Sequence, residues 1–96
     1  MSRNEIISIL RNYKSQSGPR YGILALGLFG SLARGETQED SDVDVVIKFN
    51  TPNLITMSRI RQEIEELTRC RVDIVHYRER MNKLLKERID REAVYV

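Results

Sequence analysis

The chain has 96 residues, enough for one small domain (residues 1–96) that buries about 60–65% of its unfolded surface. Its 41% hydrophobic and 31% charged content is ordinary for a globular chain, and the apolar run Ile23–Phe29 falls far short of the roughly 20 residues that span a bilayer, so no membrane role is expected. A net charge of +2 is too small to argue for nucleic acid by itself, and Arg59, Arg61, Arg69, Lys83, Lys86 and Arg91 alternate with Glu63, Glu65, Glu79, Glu87 and Asp90 as on solvated helix faces, so no direct nucleic-acid partner is expected. The opening MSRNEIISILRN lacks the unbroken apolar core and cleavage site of a leader, and the one cysteine, Cys70, has no partner for an internal disulfide. The expectation is a cytoplasmic protein in which Cys70 is an inert, buried or half-buried thiol.

In chain order, Ser2 and Glu5 form a capping-box signature ahead of Ile6, Ile9, Leu10 and Tyr13 at helical spacing, which predicts a helix from about Arg3 to Lys14 stopped by the turn-rich SQSGPR. YGILALGLFG reads as a buried strand ending at Gly30. SLARG has room for a helical turn or two, GETQEDS for a polar loop, and VDVVIKF is a second strand. Thr51-Pro52 signals a helix start with Pro52 in the first helical position, followed by a buried stripe of Met57, Ile60, Ile64 and Leu67. CRVDIVHY predicts a third strand, and RERMNKLLKERIDREA a helix with Met81, Leu84, Leu85 and Ile89 on one face. AVYV suggests a short last strand. The fold class expected is mixed α/β (α+β), a small mixed sheet with helices packed on one face.

The chemistry concentrates in GSLARGETQEDSDVDVVI, Gly30–Ile47. Residues two apart in a strand share a face, so Asp42 and Asp44 project together while Val43, Val45, Ile47 and Phe49 turn to the core. Asp73 alternates in the same way with Val72 and Ile74, and pairing of the two strands would set it beside the other two carboxylates. Unit charges about 4 Å apart repel by roughly 4 kcal/mol at an effective dielectric near 20. Either some of these carboxyls stay protonated or a cation sits among them, and hard oxygen donors suit Mg²⁺. Gly30 and Ser31, at a strand end and a possible helix start, offer close backbone approach and a hydroxyl to a phosphate. Gly-Ser alone is a common turn, and a lone Asp-Val-Asp is commonly a wet strand face; it is their conjunction with Asp73 that points to a site.

GSLARGETQEDSDVD, with ten residues between Ser31 and Asp42, resembles the glycine–serine, spacer, Asp-x-Asp pattern of the DNA polymerase β-like nucleotidyltransferases. The short length and the later VDIV resemble their minimal, MNT-domain branch. The resemblance implies that superfamily's fold, and ATP bound with Mg²⁺ (two ions, Mn²⁺ being possible). It implies Gly30 and Ser31 on the phosphates, with Ser41 orienting the Asp42 loop as a further nucleotide-site residue. Asp42 and Asp44 would be metal ligands, and Asp73 a third ligand that helps deprotonate the acceptor hydroxyl. Arg34 is expected to pair with a nearby carboxylate or backbone group and Gly35 to serve a turn. His76 is not needed as a base and is expected at the surface or a strand edge, and Tyr13, Tyr21, Tyr77 and Tyr95 form no stacking platform.

The function this resemblance implies is transfer of AMP from ATP to a hydroxyl. Almost every residue is used by the catalytic layer, so the acceptor is expected on another molecule. In the MNT branch that partner is typically a HEPN-domain ribonuclease toxin, so the resemblance implies an antitoxin that adenylylates a toxin tyrosine, with a hetero-oligomer of the two as the expected assembly. The alternatives are a small-molecule nucleotidyltransferase of the aminoglycoside type and a non-catalytic antitoxin that acts by occlusion. Retention of Gly30, Ser31, Asp42, Asp44 and Asp73 favours an active enzyme.

Overall fold

The computed structural model describes residues 2–36, 42–51 and 53–96. The elements run α1 (Arg3–Tyr21), β1 (Ile23–Phe29), β2 (Val43–Phe49), α2 (Leu54–Thr68), β3 (Val72–His76), α3 (Lys83–Glu92) and β4 (Val94–Tyr95). The four strands form one sheet in the order β3-β2-β1-β4. β1 is antiparallel to β2 and to β4, whereas β2 and β3 are parallel and joined through α2. The mixed α/β class holds.

The inward residues of β1, β2 and β3 (Leu26, Leu28, Val43, Val45, Ile47, Phe49 and Val72) pack against Ile6, Ile7 and Leu10 of α1 and Ile60 and Ile64 of α2. The third helix departs from the expected arrangement with all helices on one face. Ile89 of α3, fully buried, packs with Phe29 and Val46, which alternate to the sheet's other side. Both faces are covered because Phe29, Val46 and Val75 leave an apolar patch on the second face that α3 closes together with Tyr77 and Met81 ahead of it.

The capping box at Ser2 is formed, Ser2 Oγ accepting from the Glu5 N–H at 3.2 Å. The helix does not stop at Lys14 but continues through SQSGPR to Tyr21, with Pro19 inside it and Gly22 closing it at φ +70°. Tertiary contacts override the turn composition. Tyr13 and Tyr21, two helical turns apart on one face, both donate to Glu63 of α2 at 2.8 Å, one to each carboxylate oxygen. Burial opposes charge on Glu63, but the two phenol hydrogen bonds outweigh it and hold the carboxyl below its ordinary range. Glu63→Ala should therefore lower stability by about 1–3 kcal/mol, because the buried Tyr13 hydroxyl loses its acceptor, as urea unfolding would register. Glu63 binds protons less readily folded than unfolded, so the wild-type advantage should be complete above the ordinary carboxylate pKa and fade as pH falls.

α2 begins at Leu54, with Asn53 Oδ1 accepting from the Ile55 and Thr56 N–H groups at 2.8 and 3.2 Å. The first helical position is thus Leu54, and Pro52 lies outside the described residues. The buried stripe is Ile60, Ile64 and Thr68 rather than one ending in Leu67, which is half exposed. Thr68 can occupy the last core position because its hydroxyl donates to the Ile64 carbonyl at 2.9 Å. In α3, Leu85 and Ile89 face the sheet four residues apart, which turns Leu84 to solvent instead of the shared face expected of it. The SLARG segment makes one irregular turn, and the short strand at AVYV is present as β4.

Candidate active site

β1 is followed directly by Gly30 at φ +79°, a left-handed conformation that suits glycine. A Cβ there would collide with Oδ2 of Asp44, so the strand end and the carboxylate approach each other only because the side chain is missing. The chain then turns sharply: Arg34 N–H donates to the Gly30 carbonyl at 3.2 Å, Gly35 N–H to Leu32 at 3.1 Å, and Glu36 N–H to Ser31 at 2.9 Å. Leu32 anchors this turn in the core, and Gly35, at φ +82°, completes it as the turn glycine expected. Among the described residues the N–H groups of Ser31, Leu32 and Ala33 have no backbone acceptor.

Asp44 lies opposite Phe29 on one side and Asp73 on the other, in register between β1 and β3. Val43 and Val45 beside it are fully buried, which sends Asp44 and Asp73 together to the second face. Burial first, then the neighbouring Asp73 and, more weakly, Asp42, raise the Asp44 carboxyl above its ordinary range, against the opposing influence of Arg88 and Arg34. Asp44 and Asp73 of the sequence-predicted trio thus sit side by side in register, and Asp42 lies one residue before β2. Ser31 stands on the turn beside it, and Ser41 lies outside the described residues. No group of three His, Cys, Asp or Glu side chains among the described residues closes tightly enough to enclose an ion unaided. The donor set is nevertheless all carboxylate oxygen, half-buried at Asp42 and Asp44, exposed at Asp73 and mutually repelling, and such a set fits a hard divalent ion whose remaining positions are filled by water or phosphate.

Two residues outside the sequence-level set complete the surroundings. Arg34 pairs with Glu36 at 3.3 Å and with Glu92 at 2.9 Å, and Glu92 also receives Arg88 at 3.3 Å. This ties the turn after β1 to the end of α3 and keeps two guanidinium groups near Asp44. The Arg88–Glu92 spacing of four is visible in the sequence as a helix pair, but nothing there shows that α3 crosses the second face at this point. His76 is half-buried on edge strand β3, its ring 5.5 Å from that of Phe49. Cys70 is half-buried, its Sγ donating to the Thr68 carbonyl at 3.3 Å. Tyr77 and Tyr95 flank the Lys48 ammonium, whose nitrogen lies 4.5 and 5.6 Å from their ring centres.

Residues 4–96 match the family described as Polymerase beta, Nucleotidyltransferase. The chain is 36% identical over 97 residues to a protein adenylyltransferase MntA of Thermococcus cleftensis, covering 100% of this chain and 97% of that protein. It superposes with a TM-score of 0.82 on a solved structure assigned as a candidate minimal nucleotidyltransferase, at 34% identity over 98% of this chain and 95% of that one. A complex of the tri-AMPylated HEPN toxin of Shewanella oneidensis with its MNT antitoxin matches in fold, with a TM-score of 0.61 at 20% identity over 97% of this chain and 66% of that one. The carboxylates in register, the glycine turn against them and a match over nearly every residue lead to one assignment: the chain belongs to the Polymerase beta nucleotidyltransferase family.

Proposed function

We propose that this chain transfers AMP from ATP to a tyrosine hydroxyl of a cognate HEPN-domain toxin and thereby acts as its antitoxin, with residues 1–96 forming one minimal nucleotidyltransferase domain of the cytoplasm. The observation that carries the reading is the placement of Asp44 and Asp73 side by side, against a strand end where Gly30 leaves no side chain in the way. The similarity to a named protein adenylyltransferase and to a toxin–antitoxin complex supports the donor and the partner.

In this reading Gly30 and Ser31 bind the nucleotide phosphates through backbone approach and hydroxyl, with the N–H groups of the following turn as further donors. Ser41 joins the nucleotide site through the loop that leads to Asp42. Asp42, Asp44 and Asp73 would hold Mg²⁺, which neutralises phosphate charge and orients the reacting oxygens when bound. Asp73, exposed at the sheet edge, takes the proton of the acceptor hydroxyl. The hydroxyl oxygen forms a bond to the α-phosphorus, the bond from that phosphorus to the bridging oxygen breaks, and pyrophosphate leaves. Arg34 and Arg88 hold the turn and α3 in place through Glu92 and offset the charge on Asp44. Positioning and charge neutralisation supply most of the rate.

Incubation with the HEPN protein encoded alongside, Mg²⁺ and ATP labelled at the α-phosphate should label that protein, whereas γ-labelled ATP should not. Absence of α-label, with the toxin still neutralised by an Asp42→Asn/Asp44→Asn variant, would establish occlusion in place of catalysis.

A further inference from the structure

β3 is an edge strand, and its outer side carries hydrogen-bonding capacity beside the candidate catalytic residue. The parallel ladder to β2 uses the backbone of the odd-numbered residues: Val43 N–H donates to the Arg71 carbonyl at 2.8 Å and Tyr77 N–H to the Ile47 carbonyl at 2.9 Å. Val72, Ile74 and His76 therefore turn their backbone groups outward. The Val72 N–H is taken by Glu65 Oε2 at 3.1 Å, but among the described residues the N–H and carbonyl groups of Ile74 and His76 have no partner. A groove runs along this edge, lined by the consecutive residues Val72, Asp73 and Ile74 on one wall and by Met57, Ser58 and Arg61 of α2 on the other. Arg61, and Arg71 and Arg78 at the two ends of β3, are all exposed and among the described residues make no ion pair.

We propose that the acceptor-bearing segment of the protein substrate is an acidic, extended peptide that binds as an added β-strand along the outer edge of β3. This rests on the proposed transfer to a protein hydroxyl and says how that hydroxyl is delivered. Neighbouring strands lie about 4.8 Å apart, and side chains directly opposite one another share a face. The residue opposite Asp73 thus presents its side chain on the carboxylate face. Backbone pairing gives sequence-tolerant affinity, and the three unpaired arginines select for acidic flanks. A second copy of this chain is disfavoured, because edge-to-edge pairing would bring Arg61, Arg71 and Arg78 of both copies together. Single-stranded RNA is disfavoured because the groove has no aromatic wall and centres on Asp73, and because a phosphodiester offers no donors to the outward carbonyls.

The test is amide NMR of the ¹⁵N-labelled protein with neither nucleotide nor metal, titrated with a synthetic peptide of about ten residues carrying one central tyrosine between acidic residues. The Ile74 and His76 amides should shift and gain exchange protection, whereas those of Asp73 and Val75, already bonded to β2, should change little. N-methylation of one alternate set of peptide amides should weaken binding by at least about tenfold and of the other set hardly at all. Ile74→Pro removes the outward donor along with the Ile74 side chain that packs on the core, and Arg61→Glu reverses one charge; each should weaken binding by about tenfold while the β2 amides stay protected, which shows that the fold is kept. No shift at millimolar peptide would overturn the proposal. So would insensitivity to both methylation sets, tighter binding of oligouridine at the same edge, or protection of the Ile74 amide that depends on protein concentration without peptide. Failure of AMP transfer to the HEPN protein, with edge binding intact, would overturn the proposed activity and leave this surface standing.

Discussion

Asp44→Asn should raise the thermal stability of the metal-free protein and at the same time abolish AMP transfer. The carboxylate is partly buried beside Asp73, and both burial and the like charge disfavour its ionised form. Asparagine keeps the shape and removes the charge. A gain of about 1 kcal/mol would lift the midpoint of a domain this size by roughly 4–8 °C at neutral pH. Because the Asp44 pKa is raised in the folded state, the folded chain binds the proton more tightly than the unfolded one. The penalty is absent below the ordinary carboxylate pKa and grows as pH rises through the raised value, so the advantage of asparagine should vanish in acid. Transfer of α-label should fall by at least about 100-fold, and Mg²⁺ should stabilise the wild type more than the variant. Calorimetric midpoints that coincide at pH 7, together with retained transfer, would remove Asp44 from the site.

Gly30→Ala should be far more damaging than an ordinary surface change from glycine to alanine. The left-handed backbone alone costs an L-residue about 1–2 kcal/mol, and the new methyl group meets Asp44 Oδ2. Relief must push either the strand end or the carboxylate away, so transfer should be lost as well. A double-mutant cycle separates the two contributions. Combined with Asp44→Ala, the Gly30→Ala change should cost about 1 kcal/mol less than it does alone, a coupling of the size found between residues in contact. Activity should not return. Strict additivity in urea unfolding would mean that the two groups do not press on each other in solution.

The strands and the faces taken by Asp44 and Asp73 were legible in the sequence because they rest on a period of two: VDVVIKF and VDIV each place valine or isoleucine inward and aspartate outward, and burial enforces the choice, whereas the pairing of the two strands stood only as a condition. Gly30 was legible for a related reason, since a glycine after an apolar run marks a place where backbone is approached closely. The extent of α1 was not legible. SQSGPR has the composition of a turn, and the force that keeps it helical is a carboxylate 42 residues beyond Tyr21, on another helix. Thr68 likewise looked polar and Leu67 apolar, until a hydroxyl bonded to its own helix reversed their places. Arg88 and Glu92 belong to a helix whose side of the sheet no local pattern encodes.

The parallel pairing of β2 with β3 has a consequence for how the candidate site is guarded against error in folding. A slip of β3 by one residue would turn Asp73 into the layer now filled by Ile60 and Ile64, and expose Val72 on the opposite face. The misaligned chain would carry a bare carboxylate in a dry interior, among the most costly of single faults. Alignment of Asp44 with Asp73 is thereby enforced by the same alternation that builds the interior, and a molecule that has sorted its oily residues has also set its paired carboxylates.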